Sequence, residues 1–327
     1  MIVSKVPLRV SLFGGGTDFP EYFGKHGGGV LTFALDKYMH ICLNRTNAHE
    51  KIKLMYSDIE FEDAHDLKHN IARNTLTLPL YKEHAKGLEI ASFADIPTVG
   101  TGLGSSSAYA VGLIEALDKM LGIQATQSRV AAKAVHVELE LCKSNIGIQD
   151  QFGCALGGIK YLQFHNLYEN SCQAYYLPTC NDLPRNLFLI YTGIKRDANE
   201  ILKEQNSNLE KNIESLDKIR RLGTDACNLL ANNSYRAFDD IGPMLHESWE
   251  LKKSLSSVVS TDSINDLYEY GLAHGATGGK LLGAGGGGYV LFYVPERNHE
   301  LFKSIMNPLT DFQAGLDHEG VRSYVVK

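Results

Sequence analysis

The sequence predicts an α+β protein of two closely joined domains, on three observations. Its 327 residues correspond to two domains at ~150 residues each. The first sixty residues are rich in branched and aromatic side chains and read as strands, whereas residues 198–255, rich in Asn, Glu, Lys and Leu, read as helix. No repeat, low-complexity segment or Pro/Ser-rich linker separates these regions, so the boundary is placed near residue 180, giving domains of 1–180 and 181–327.

In order along the chain, Ile2 to Phe13 reads as a strand, followed by a Gly-rich hairpin region and strands over Tyr38–Arg45 and Ile52–Tyr56. A helix is predicted over Asn70–Ala85. The strand Leu88–Ala94 is stopped by Pro97, and the segment Gly100 to Ser107 opens a helix reaching Leu121. A second helix covers Gln127–Cys142. Strands follow at Lys160–Phe164 and Leu187–Tyr191, then the helical region 198–255 and a helix over Ile264–His274. A glycine tract at Gly283–Gly288, a strand at Tyr289–Val294, a helix from Arg297 and a strand at Val321–Val326 complete the chain.

Composition narrows the function classes. With 44% hydrophobic and 21% charged residues the chain is neither fibrous nor disordered. Its six cysteines form no CxxC pair, against a disulfide scaffold or a structural zinc site. No apolar run approaches the ~18 residues of a membrane span, and no basic leader precedes an apolar stretch, so a cytoplasmic protein without a membrane partner is expected. The net charge of −6 and the absence of Lys/Arg clusters interleaved with aromatics exclude nucleic acid as the expected partner. An anionic ligand would have to be held by a few local cations, backbone N–H groups or a metal.

Five segments carry candidate chemistry. In Gly100-Thr101-Gly102-Leu103-Gly104-Ser105-Ser106-Ser107, glycines let successive N–H groups turn toward one anion, and the following helix adds its positive end. The GxxxxGK[ST] pattern fails because Ser105 follows Gly104, and the GxGxG spacing suits a dinucleotide fold poorly. Serine hydroxyls at a helix start can cap it and reach a metal on bound phosphates; tight packing is the plain alternative. Asp150, between Gln149 and Gln151, is a candidate general base or a turn former. Helical spacing puts Glu138 on the apolar face with Ala131, Ala134, Val135 and Cys142, where it needs a metal, an Arg or a loop N–H; Glu140 falls on the solvated face with Lys133 and His136. The Gly283–Gly288 tract points to positive φ angles or a close ligand, or simply to a flexible turn. Arg9, inside an apolar strand, faces a buried or substrate anion, or else water at a strand edge. Asp18 after Gly14-Gly15-Gly16-Thr17 is a turn former or a hydroxyl binder.

Taken in this order, Pro7-Leu8-Arg9 with Gly14-Gly15-Gly16-Thr17-Asp18, Gly102-Leu103-Gly104-Ser105-Ser106-Ser107-Ala108, Gly147-Ile148-Gln149-Asp150-Gln151 and Gly283-Ala284-Gly285-Gly286-Gly287-Gly288 resemble the GHMP kinases over nearly the whole chain. Within that family, Leu8 to Asp18, Gly147 to Gln151 and Tyr191-Thr192-Gly193-Ile194-Lys195-Arg196 resemble the heptose 7-phosphate kinases. Galactokinases carry Gly-Glu-His-Thr-Asp where this chain has Gly14 to Asp18, which removes two polar sugar contacts.

The resemblance implies a ribosomal-protein-S5-type N-terminal domain and a ferredoxin-like C-terminal domain, with ATP and sugar between them. It implies that Gly100, Gly102, Leu103, Gly104, Ser105, Ser106 and Ser107 hold ATP, that Ser106 and Glu138 ligate Mg²⁺, and that Asp150 and Arg9 are catalytic. Gly14, Gly15, Gly16, Thr17, Asp18, Gly285 and Gly286 would meet the sugar. The reaction implied is phosphorylation of the anomeric hydroxyl of D-glycero-D-manno-heptose 7-phosphate, in nucleotide-activated heptose synthesis for cell-surface polysaccharide. The alternatives are a kinase of a fucose-like or galactose-like sugar and a non-catalytic sugar-phosphate sensor. A phosphorylated acceptor needs cations; Arg196 and Lys195 are the first candidates and Lys25 the next. A homodimer is compatible with the sequence.

Overall fold

The computed structural model describes residues 1–97, 100–165, 172–194, 198–232, 238–306 and 310–326. Strand β1 (Ile2–Phe13) leads through a glycine turn and helix α1 (Pro20–His26) into the 18-residue strand β2 (Gly28–Arg45), then β3 (Ile52–Met55) and β4 (Ile59–Glu62). Next come α2 (Asn70–Leu76), β5 (Leu88–Ala94), α3 (Ser105–Met120), α4 (Gln127–Val135), α5 (Gln149–Ala155), β6 (Ile159–Phe164) and β7 (Cys172–Tyr176). The second half holds β8 (Leu187–Tyr191), α6 (Ala198–Ser207), α7 (Leu209–Asn232), α8 (Phe238–Lys253) and α9 (Asp262–Ala273). It ends with β9 (Gly278–Leu281), β10 (Tyr289–Tyr293), α10 (His299–Met306), β11 (Thr310–Gln313) and β12 (Arg322–Val325).

Besides α5, β4, β7, β9 and β11, which lie outside the predicted elements, four elements differ from expectation for local reasons. The helix predicted to reach Ala85 stops at Leu76, because Pro79 lacks an N–H and disfavours helical backbone at Leu78. Pro20 at the first turn starts a helix where only a hairpin was expected, and β2 begins ten residues before Tyr38, at Gly28. The helix from Gln127 is α-helical only to Val135 and continues as a π-helical turn, His136–Leu141, closed by the Cys142 N–H donating to the Val137 carbonyl at 2.9 Å.

The first sheet runs β12-β1-β2-β5-β3-β4, with β6 and β7 branching from the start of β2; only β3 and β5 pair in parallel. Its edge strand β12 pairs Val325 with Ile2 and Arg322 with Lys5, so the last strand lies beside the first, across the boundary expected near residue 180. The second sheet, β11-β8-β10-β9, is antiparallel throughout. Period-two alternation sends Leu187 and Leu189 of β8, and Tyr289, Leu291 and Tyr293 of β10, to the main core shared with the first sheet. Phe188, Ile190, Val290 and Phe292 pack on the opposite face with Trp249, Ile264 and Phe302. Burial on both faces explains why these strands read as unbroken apolar runs.

Helix α3 lies across β1 and β2. Gly112 permits this closeness: a Cβ there would stand 2.8 Å from the Ile41 side chain and 2.9 Å from Val6.

Candidate active site

A cleft of about 270 Å³ lies where the start of α3, the start of α5, the turn after β1 and the end of β9 meet. In β1, Leu8, Val10 and Leu12 are fully buried in the core, while Arg9 and Ser11 line the cleft. Arg9 is 3% exposed, and a guanidinium so buried requires an anion. Asp150, in the first turn of α5, supplies it through a bidentate pair: Arg9 Nε donates to Oδ1 at 2.8 Å and Nη2 to Oδ2 at 2.7 Å. Arg9 Nη1 donates to the Gly102 carbonyl at 2.6 Å and the Arg9 N–H to the Leu103 carbonyl at 3.1 Å. One residue thus ties the glycine loop to the start of α5.

Two glycine segments build the roof. Gly102 and Gly104 have φ of +76° and +78°, and Gly104 precedes the first residue of α3 in left-handed backbone. A Cβ on Gly283 would stand 2.4 Å from Gly102 Cα, so the two loops touch backbone to backbone. Of the three serines, Ser105 Oγ lies 3.2 Å from Thr101 Oγ1, whereas Ser106 is exposed to the cleft and donates to Glu138 Oε1 at 3.3 Å. Among the described residues, the positive end of the 16-residue α3 faces the cleft with no side chain capping it.

Glu138, on the π-helical turn, is 1% exposed. Its Oε2 accepts from Gln151 Nε2 at 2.6 Å. Burial pushes this carboxyl up to about 7, against hydrogen bonds from Ser107, Gln151 and Ser106 that pull it down. Glu140 is exposed and lies 3.9 Å from Lys143. Asp18 is also buried, accepting from the Gly16 N–H at 3.0 Å and the Gln149 N–H at 3.3 Å. Burial, then the nearby Asp150 charge, pushes Asp18 up to about 6. Gly147 packs directly on it, since a Cβ there would lie 1.9 Å from Asp18 Oδ2.

The cleft gathers Arg9, Gly15, Gly16, Asp18, Gly100, Gly102, Gly104, Ser105, Ser106, Ser107, Glu138 and Asp150 of the expected residues. Five others carry scaffold contacts and do not line it. Leu103 is fully buried in the core. Gly14 abuts the Gly29 carbonyl, and Thr17 Oγ1 donates to the Gly14 carbonyl at 2.8 Å. Gly285 packs on the Val259 backbone, and the Gly286 N–H donates to the Val259 carbonyl at 2.8 Å. In their place Gly283 and Ala284 line the cleft. Lys25 is exposed on α1 and does not line it. Lys195 and Arg196 lie outside the described residues.

Sequence reasoning missed two cations. Lys280 of β9 is 4% exposed, and its Nζ donates to the Leu12 carbonyl at 3.0 Å. Lys252, near the end of α8, donates to the Leu281 carbonyl at 3.0 Å and the Gly283 carbonyl at 2.5 Å. A signal existed for Lys280, a lone cation in the run Gly278-Gly279-Lys280-Leu281-Leu282, the same pattern that singled out Arg9. Lys252 next to Lys253 at a helix end carries none.

Ser106 and Glu138 fit a magnesium ion. They are a hydroxyl and a carboxylate converging on the cleft, and the carboxylate has no cation partner among the described residues. Among those residues no three His, Cys, Asp or Glu side chains converge to hold a metal. No helix among them is long and apolar enough to cross a membrane.

Comparison with known proteins agrees with this architecture. Residues 70–158 match the GHMP kinases N terminal domain, and residues 228–308 match the GHMP kinases C terminal domain. The chain is similar to a D-glycero-alpha-D-manno-heptose 7-phosphate kinase of Campylobacter jejuni, 28% identical over 99% of this chain and 98% of the relative. It is also similar to a mevalonate kinase of Thermococcus sibiricus, 32% identical over 68% of this chain and 65% of the relative. The crystal structure of a D-glycero-D-manno-heptose 1-phosphate kinase from Bacteroides thetaiotaomicron superposes with a TM-score of 0.78 at 21% identity, covering all of both chains. The motif order, the two-domain α+β fold and these matches agree, and the chain belongs to the GHMP kinases, a family of ATP-dependent phosphotransferases.

Proposed function

We propose that this kinase phosphorylates a sugar, and specifically the anomeric hydroxyl of D-glycero-D-manno-heptose 7-phosphate, giving the 1,7-bisphosphate. The observation that carries the reading is the Arg9–Asp150 fork, set between the start of α3 and the Asp18–Gln149 contact, where a hydroxyl and a nucleotide phosphate can meet. The full-length similarity to the Campylobacter jejuni kinase supports this acceptor.

The N–H groups at the start of α3 and of the Gly100–Gly104 loop bind the nucleotide phosphates. Asp150 receives the acceptor proton: each carboxylate oxygen spends one lone pair on Arg9 and keeps another. The acceptor oxygen attacks the γ-phosphorus, the bond to the bridging oxygen breaks, and its electron pair leaves with ADP. Arg9 stabilises the developing alkoxide charge, and because an anomeric hydroxyl is more acidic than an ordinary alcohol, a modest base suffices. Asp18 accepts hydrogen bonds from sugar hydroxyls. Magnesium held by Ser106 and Glu138 supplies charge neutralisation on the phosphates when bound.

The test is ADP release, in a coupled assay, across a panel of acceptors with and without a terminal phosphate, with the product identified by phosphorus NMR. Highest kcat/KM for heptose 7-phosphate with a new anomeric phosphate supports the reading. Preference for an unphosphorylated sugar, or for a non-sugar alcohol, overturns it.

A further inference from the structure

The reaction scheme leaves two amines on the cleft wall unused. Lys280 and Lys252 both line the cleft, and among the described residues neither has a carboxylate within ion-pair distance. Among the described residues their hydrogen bonds go to backbone carbonyls alone. Lys280 is buried and Lys252 half-buried, and lysines are seldom withdrawn from water without an anion, because removal of the ammonium from water costs several kcal/mol. The charges acting on Lys252 are those of Lys280 and Arg9, and the charge acting on Lys280 is that of Arg9. Burial first, and repulsion from these charges second, pushes Lys280 down to about 8 and Lys252 well below the usual lysine range. Three cationic side chains therefore converge while, among the described residues, only Arg9 has a counter-ion.

The position of Lys252 selects the anion. It bonds the Gly283 carbonyl; Gly283 touches Gly102 of the nucleotide loop; and the Gly102 carbonyl receives Arg9 Nη1. Lys252, Gly283, Gly102 and Arg9 form a continuous rim between the start of α3 and Asp150. A phosphoryl group moving from nucleotide to an acceptor oxygen at Asp150 crosses that rim. An ammonium has three N–H donors; Lys252 spends two on carbonyls and Lys280 one, so donors remain on both.

We infer that Lys252, backed by Lys280, contacts the phosphoryl group in transit and neutralises the charge on its non-bridging oxygens. This rests on the kinase reading but on no particular acceptor. Two other roles are conceivable for the same side chain: a strut that only holds the carbonyls of the glycine tract, and a holder of the acceptor's own phosphate.

The test compares Lys252→Met and Lys252→Arg, with Lys253→Met as a control because Lys253 pairs with Glu250 at 2.8 Å outside the cleft. Magnesium complexes of ADP and of AMPPNP are titrated calorimetrically, thermal midpoints are recorded, and steady-state kinetics are run with the best acceptor of the panel. Lys252→Met is expected to weaken AMPPNP by roughly 10- to 100-fold and leave ADP within twofold, as befits a lost charge-assisted contact to the γ-phosphate alone. It should lower kcat at least tenfold, with partial recovery in Lys252→Arg. Equal weakening of both nucleotides with a lowered midpoint assigns the strut and overturns the inference. Unchanged nucleotide affinities also overturn it, whether or not KM rises for phosphorylated acceptors. Because the nucleotide titrations need no acceptor, a wrong acceptor assignment leaves this test intact.

Discussion

The two walls of the cleft are charged in opposite senses, and neither neutralises the other. The wall from the first half of the chain carries Asp18 and Glu138, whose carboxyls burial pushes up to about 6 and about 7. The wall from the second half carries Lys252 and Lys280, whose amines burial pushes down. Had these groups met, four desolvated charges would have become two ion pairs. Instead, among the described residues that line the cleft, Arg9 and Asp150 are the two that pair, both from the first half, and they lie where we propose that the proton is exchanged. The contrast teaches that the fold holds unpaired charge on both sides, suited to ligands of opposite sign, which under the proposed function are a cation and hydroxyl hydrogens on the acidic side and phosphate on the basic side.

The sharpest break of this comparison is at the pair itself. Asp150→Asn keeps the volume but removes the proton acceptor and leaves Arg9 half-partnered, so turnover should fall by ~10²–10⁴ with ATP affinity little changed. Single-turnover kinetics measure it, and near-normal turnover would show that Asp150 only orients Arg9.

On the acidic wall, Glu138→Gln should raise the Mg²⁺ concentration for half-maximal activity by about tenfold or more, while Glu140→Gln leaves it unchanged. A metal titration of activity decides it. Equal effects in both variants would mean that Glu138 does not meet the ion.

The basic wall should reveal itself through stability. Lys280 is held near 8 against an ordinary 10.5, so between these values the unfolded chain binds more protons than the folded one. The stability it contributes is present above 10.5 and is lost as pH falls through about 8. Lys280→Met should therefore stabilise the ligand-free protein at pH 7 by on the order of 1–3 kcal/mol, with the gain closing toward pH 10 in urea unfolding. Asp18 slopes the other way: its folded value is raised from 3.8 to about 6, so stability present below 3.8 is lost as pH rises through 6. A gain for Lys280→Met that does not vary with pH would assign it to packing alone.

The smallest effect is expected outside the cleft. Lys25→Ala, at an exposed position on α1, should leave the KM for a phosphorylated acceptor within twofold and stability within about 0.5 kcal/mol. A larger rise in KM would extend the acceptor site beyond the walls described.

The sequence left Arg9 open between a buried anion and water at a strand edge, but by itself it determined the strands β1, β5, β8 and β10, the helix opened by Gly104 and Ser105, and the place of Glu138 on an apolar stripe. Each follows from local periodicity, a breaker such as Pro97, or a charged residue in an apolar stripe. The family order of glycine motifs was legible for the same reason: close backbone approach leaves glycine as the residue that fits, as the Gly102–Gly283 contact illustrates. Tertiary structure alone decided that β12 pairs with β1, and that Asp150 spends both oxygens on Arg9, 141 positions away. It alone turned Gly285 and Gly286 onto Val259 while Gly283 and Ala284 faced the cleft, and it alone separated Lys252 from its neighbour Lys253. Sequence pattern records which face of an element is apolar; which distant carbonyl, carboxylate or charge a buried polar group meets depends on how the sheets pack, because hydrogen bonds and Coulomb forces act across space without regard to position along the chain.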